Sequence, residues 1–131
     1  MIGIDTNVLI RYVIQDDPRQ SAIASAFLDS LTPENPGFIT LVSLTELCWV
    51  LIKRYKLPRT GFTRALDSLL ASEEMEVESE SIVRQALSLF IQSNIDFADC
   101  LVAGCARAAG CSSVVTFDRN AAKTLGMKLL S

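Results

Sequence analysis

An α/β fold built on a mainly parallel sheet, with helices on both faces, is predicted by three observations. Short apolar runs recur along the chain, most are followed by segments whose apolar residues return every three or four positions, and Pro and Gly punctuate the joints. Strands alternating with helices pair in parallel, because each helical crossover carries the chain back to start the next strand in the same direction. In such sheets the ligand crevice lies beyond the carboxyl ends of the strands.

The opening "MIGIDTNVLIRYV" reads as a short strand that stops at Asp5-Thr6-Asn7 and resumes as a helix. After the polar stretch "QDDPRQ", a second helix is expected from about 21 to 31, and "TPENPG" reads as a loop from its Pro, Asn and Gly content. "FITLVS" has the composition of a strand. In "LTELCWVLIKRYK" the apolar positions 44, 47, 48, 51, 52 and 55 follow helical spacing, and Leu57-Pro58 ends the run. A helix over 62–72, a strand near "MEVE" and a helix over 80–93 come next. From Ala98 to Ala109 the pattern is helical again, with Gly110 as its stop. "SVVTF" is a strand, "RNAAKTLG" a short helix and "MKLL" a terminal strand. No repeat or linker divides the sequence, and 131 residues suit one domain, 1–131.

Composition narrows the chemistry. The chain has no histidine, which removes Ser-His-Asp and Cys-His catalysis and leaves carboxylates, lysine or metal-activated water to move protons. Cys48, Cys100, Cys105 and Cys111 show no C-x-x-C spacing, so they read as buried reduced thiols rather than a zinc site or a disulfide framework. Half the residues are hydrophobic and the mean hydropathy is +0.33, yet no apolar run reaches the ~18 residues of a membrane span. Some of that apolar surplus is expected at interfaces, with Phe27, Leu28, Leu47, Trp49, Leu51 and Ile52 as candidate anchors, some of which must instead serve the core. Met1 to Ile4 form neither a signal peptide nor a basic targeting arm, and the cytoplasm is the expected location.

Net charge is −3, from 12 basic and 15 acidic side chains, which argues against a non-specific nucleic-acid coat. With Asp5, Glu46, Asp96, Asp99 and Asp118 set aside, however, the basic side chains outnumber the remaining acids. Each of these five maps to the carboxyl-terminal rim of the expected sheet. Taken singly they have ordinary explanations. Ser43 and Glu46 have capping-box spacing, Asp5 and Asp96 stand where helices begin, and Asp118 stands in a turn. The run Glu73, Glu74, Glu76, Glu78 and Glu80 reads as a solvated turn and edge, without a catalytic role. Convergence of the rim acids needs another cause, because two like charges ~4 Å apart at an effective dielectric of ~20 repel by about 4 kcal/mol. A hard divalent cation relieves that repulsion and activates water against a phosphodiester.

Four segments, "IDTNVLI", "SLTELCWVL", "DFADCLVAGCARAAGC" and "VVTFDRNAAK", together resemble a PIN domain, and specifically a VapC-type toxin ribonuclease of a toxin–antitoxin pair. The likeness spans essentially the whole chain. It implies a three-layer α/β/α sandwich with a central, mainly parallel sheet. It assigns an acidic quartet to Asp5, Glu46, Asp99 and Asp118, which would hold one or two Mg²⁺ or Mn²⁺ ions. Asp96 resembles an additional acid found in many relatives. Asn7 and Thr116 match polar positions that orient the carboxylates or the scissile phosphate. Arg11, Arg119 and Lys123 lie near acidic segments in the sequence, where contact with RNA phosphates is one reading and an ordinary solvated face is the favoured one. The resemblance further implies an RNA substrate, products with a 5′-phosphate and a 3′-hydroxyl, a homodimer, and inhibition by a small VapB-like antitoxin. Two rival readings remain: a receiver-like phospho-acceptor module, and a PIN-like fold that only binds partners. The first is disfavoured because Asp5 is followed by Thr6 rather than a second acid, and the second because the quartet is intact.

Overall fold

Every strand pairing in the structure is parallel, and the pairings fall into two groups of strands. The computed structural model describes residues 1–131 and divides into two units, Met1–Glu78 and Ser79–Ser131.

In the first unit, β1 (Ile2–Gly3) leads to α1 (Thr6–Val13) and α2 (Pro18–Asp29), then β2 (Gly37–Ile39) and α3 (Leu41–Trp49). A π-helical turn (Val50–Arg54), α4 (Arg59–Ala71) and β3 (Met75–Val77) complete it. The sheet order is β1-β2-β3, with Ile2 opposite Gly37 and Gly37 opposite Met75. Glycine suits the centre of this small sheet, since a Cβ at position 37 would lie 3.0 Å from the Leu31 side chain and 3.1 Å from that of Ile4. Leu9, Ile39, Leu44, Leu47, Leu51, Phe62 and Leu66 are fully buried. Leu28, Leu47 and Leu51 therefore belong to the core and cannot anchor an interface, whereas Trp49 remains 57% exposed.

Local chemistry moves several boundaries from their expected places. α2 starts three residues before Ser21 because Asp17 caps it, accepting from the Gln20 amide at 3.0 Å, with Pro18 preset in the first turn. "FITLVS" yields only two strand residues, Phe38 and Ile39, which follow Gly37 in β2. Thr40 Oγ1 accepts from the Ser43 amide at 3.0 Å and starts α3 there, so Ser43 lies inside the helix and the capping box that its spacing to Glu46 allows does not form. Glu78 Oε1 satisfies a second open amide at that helix start, accepting from Leu41 N at 2.8 Å.

In the second unit, α5 (Glu80–Gln92) packs on α6 (Phe97–Ala108), and Phe90 meets Phe97 edge to face at 5.9 Å between ring centres. The chain continues through β4 (Val115–Thr116), α7 (Arg119–Leu125) and β5 (Lys128–Leu129), a short β-α-β crossover with Val115 opposite Lys128. Gly110 and Gly126 end α6 and α7 at φ of +91° and +71°, in the left-handed region glycine enters freely. Cys48 and Cys100 are buried as expected, but Cys105 is half-buried and Cys111 exposed. No helix is long and apolar enough to cross a membrane.

Candidate active site

Asp5 follows β1 directly and stands at the N-cap of α1 in an extended conformation. One of its oxygens, Oδ1, accepts from the Thr6 amide at 2.8 Å. Thr6 is buried, and its hydroxyl donates to Glu46 Oε1 at 2.9 Å, tying the start of α1 to the middle of α3. Glu46 itself is exposed, so the buried hydroxyl fixes one oxygen while the other faces water. Asn7, one residue on, is exposed and makes no side-chain hydrogen bond within the chain. Thr6 was not among the expected site residues. Its role depends on a partner 40 positions away, which no local pattern encodes.

The second unit repeats the device at Asp118. Its Oδ1 accepts from the Asn120 and Ala121 amides at 2.8 and 3.1 Å, capping α7. Its own amide donates to Thr116 Oγ1 at 3.0 Å, so Thr116 positions the acid-bearing turn. Asn120 is held in turn by Asn94, whose Oδ1 accepts from Asn120 Nδ2 at 3.2 Å. Arg119 is exposed at the start of α7.

Asp99 lies in the first turn of α6 and is half-buried. Its carboxyl is held above the usual carboxylate range, first by burial, then by the negative charges of Asp96 and Asp118. Asp96 occupies the N-cap position of α6, but its side chain makes no capping hydrogen bond. The expected cap is thus absent, and what Asp96 supplies is negative charge felt by Asp99. Of the other acids, Glu78 holds the start of α3 and Glu74 accepts from the Ser72 hydroxyl at 2.8 Å, consistent with structural duty for that run. Arg11 is engaged with Asp16 at 3.0 Å and with Gln20 at 2.7 Å, so its charge is already partnered within the chain.

The first unit thus holds Asp5 and Glu46 on either side of Thr6, and the second brings Asp96, Asp99 and Asp118 within electrostatic reach of one another. Neither unit by itself gathers three acidic or thiol side chains into a group that could hold a metal ion. The donor type nonetheless fits a hard cation, since all the groups concerned are carboxylates.

The profile of the PIN domain family matches residues 2–125. A protein named VapC ribonuclease from Aquifex aeolicus (strain VF5) is 27% identical over 128 residues, covering 98% of this chain and 94% of that protein. Among solved structures, VapC20 of Mycobacterium tuberculosis, described as a Sarcin-Ricin loop cleaving toxin, aligns over 94% of both chains with 20% identity and a TM-score of 0.47. The family match alone, running through every segment that carries one of the acids above, is decisive: this chain belongs to the PIN domain family.

Proposed function

We propose that the chain is a divalent-metal-dependent endoribonuclease and the toxin of a toxin–antitoxin pair, working as a single PIN domain over 1–131. The observation that carries this reading is the family match, which includes Asp5, Glu46, Asp99 and Asp118. The nearly full-length similarity to a VapC ribonuclease supports RNA as the substrate.

Asp5, Glu46, Asp99 and Asp118 would hold one or two Mg²⁺ or Mn²⁺ ions. When bound, such an ion supplies positive charge to the phosphodiester transition state and activates water. The chain's own part is preorganisation. The Thr6 amide, the Thr6 hydroxyl and the α7 amides each fix one oxygen of Asp5, Glu46 and Asp118, so little rotamer freedom is left to lose on binding. Asp99, with its raised affinity for a proton, is where proton and cation compete most directly. Thr116 steadies Asp118, and Asn7 and Arg119 are exposed for contact with the RNA. The expected products carry a 5′-phosphate and a 3′-hydroxyl.

A homodimer and a VapB-like antitoxin belong to the same proposal. With Leu28, Leu47 and Leu51 in the core, exposed Ile23 and Val42 become the apolar candidates for those contacts. The test is to purify the chain free of any antitoxin, incubate it with cellular RNA and Mg²⁺ or Mn²⁺, and sequence the cut ends. Defined cuts that vanish with chelator support the reading. RNA left intact under both metals overturns it.

A further inference from the structure

The most concentrated positive charge in this acidic chain lies outside the site described above. Lys53, Arg54, Lys56, Arg59 and Arg64 are five of its 12 basic residues, and no acid occurs between Glu46 and Asp67. Lys53, Arg54 and Lys56 are exposed and have no acidic partner. Two aromatic side chains stand among them, Trp49 at 57% exposure and Tyr55 at 37%. Exposed cations with interleaved aromatics match single-stranded nucleic acid, whose bases stack on the rings while its phosphates meet the charges.

The backbone gives this strip a fixed form. Val50–Arg54 is a π-helical turn, closed by Tyr55 N donating to Val50 O at 3.1 Å, and Leu57 N then donates to Leu51 O at 3.0 Å. Lys56 sits at φ +58°, a left-handed conformation that is costly for lysine. A π turn holds about one residue more than an α turn, which sets the following chain back by about 100°. Arg54, eight residues after Glu46, consequently takes the side that the seventh residue of an uninterrupted helix would occupy, which is Glu46's own. Seven residues of helix rise about 10 Å, a span of about three phosphates in a stacked strand.

We infer that Trp49, Lys53, Arg54, Tyr55 and Lys56 form a binding strip for single-stranded RNA, which guides the substrate strand along α3 beyond Glu46. The inference rests on the ribonuclease reading and narrows its substrate to unpaired segments.

Trp49 is the only tryptophan, so its fluorescence reports directly on the strip. The full chain carrying Asp99→Asn, to keep RNA intact, is titrated with an unstructured RNA of about 12 nucleotides, a length within usual site sizes, and with a duplex of the same length. Single strands should quench Trp49 emission saturably, and the duplex should bind at least ~10-fold more weakly, because its bases are unavailable for stacking. Lys53→Gln/Arg54→Gln should weaken binding about 10-fold and reduce the slope of log affinity against log salt by about 1.4, two lost phosphate contacts. Lys56→Asn, which tolerates the left-handed backbone, should act in the same direction. Binding that leaves Trp49 emission unmoved and is indifferent to these substitutions overturns the inference. So does equal affinity for duplex, or emission that responds only to protein concentration or to an acidic peptide, which would assign the face to a second copy or to a protein partner. A wild-type chain that binds as described but cuts no RNA with Mg²⁺ or Mn²⁺ would leave the strip standing and overturn the nuclease reading alone.

Discussion

Replacing Thr6 by valine removes one hydroxyl, keeps nearly the same shape, and isolates the bond that orients Glu46. The two ends of this bond stand in different surroundings. Thr6 is 6% exposed, whereas Glu46 is exposed, and the hydroxyl donates to the carboxylate at 2.9 Å. A hydrogen bond to a charged group contributes about 1.5–3 kcal/mol, and a buried polar group left without a partner costs about 1–3 kcal/mol. In Thr6→Val the freed carboxylate turns to water, so the loss should fall near the lower figure, about 1.5 kcal/mol. In Glu46→Ala the hydroxyl is stranded in the interior, and the loss should reach about 2–3 kcal/mol although the deleted side chain is the exposed one. Urea denaturation of wild type, both single variants and the double variant forms a closed cycle, with an expected coupling of at least ~1 kcal/mol. RNA cleavage gives the second readout: Thr6→Val should lower kcat about 10-fold, or ~1.4 kcal/mol in the barrier, and Thr6→Ser should restore most of it. A coupling of zero, or unaltered cleavage in Thr6→Val, would refute the positioning role.

Asp99 binds its proton more tightly in the folded chain than the ordinary ~4 of an unfolded aspartate, because burial and then Asp96 and Asp118 oppose its charge. The metal-free fold therefore takes up protons relative to the unfolded chain, and Asp99's contribution to stability, full below that ordinary value, is lost as pH rises through the folded one. Melting of metal-free protein from pH 4 upward should show this decline, Asp99→Asn should flatten it and melt higher at neutral pH, and Mg²⁺ should offset it; a profile identical in the variant would remove Asp99 as its cause. Asp5→Asn and Asp99→Asn should each lower RNA cleavage at least ~100-fold, or ~2.7 kcal/mol. Asp96→Asn should cut less deeply and bring the Asp99 carboxyl closer to its ordinary range, measurable by carboxyl carbon NMR; an equal cleavage loss at 96 and 99 would make Asp96 a full member of the acidic set. Gly104→Ala should destabilise the chain by about 1–3 kcal/mol, since a Cβ there would lie 2.9 Å from Ile82 Cγ2, a branched side chain with little room to turn; a denaturation midpoint at or above wild type would show that α5 yields.

Helix existence was legible because it depends on near neighbours. The apolar spacing of residues 44, 47, 48 and 51 and the stop at Gly110 need nothing beyond the adjacent chain. Strand extent was less so. Leu41 and Val42 are as apolar as Phe38 and Ile39, and only the Thr40 hydroxyl and the distant Glu78 carboxylate decide that a helix starts between them. The same competition misplaces the Glu46 cap, since two caps of equal chemistry stood three residues apart and the earlier one prevailed. The π turn is invisible to periodicity, because its residues also fit α spacing and the deviation is expressed in backbone closure at Tyr55 and Leu57. For the acids, sequence located the helix starts at Asp5, Asp96 and Asp118. It could not tell that Asp96 would leave its helix uncapped, a question of rotamer decided by the surrounding charges and packing.

The carboxylate that satisfies Leu41 N belongs to a residue 37 positions further along the chain. During synthesis the segment bearing Glu46 therefore leaves the ribosome well before the group that fixes the start of its helix. At ~5–20 residues per second the interval is a few seconds, in which α3 has Thr40 alone to define its first turn. A nascent chain shorter than 75 residues also lacks β3, the strand that covers one edge of β2. The order of emergence thus delays a fully placed Glu46 until the whole first unit is made, so truncated translation products would carry Asp5 and Glu46 without the framework that aligns them.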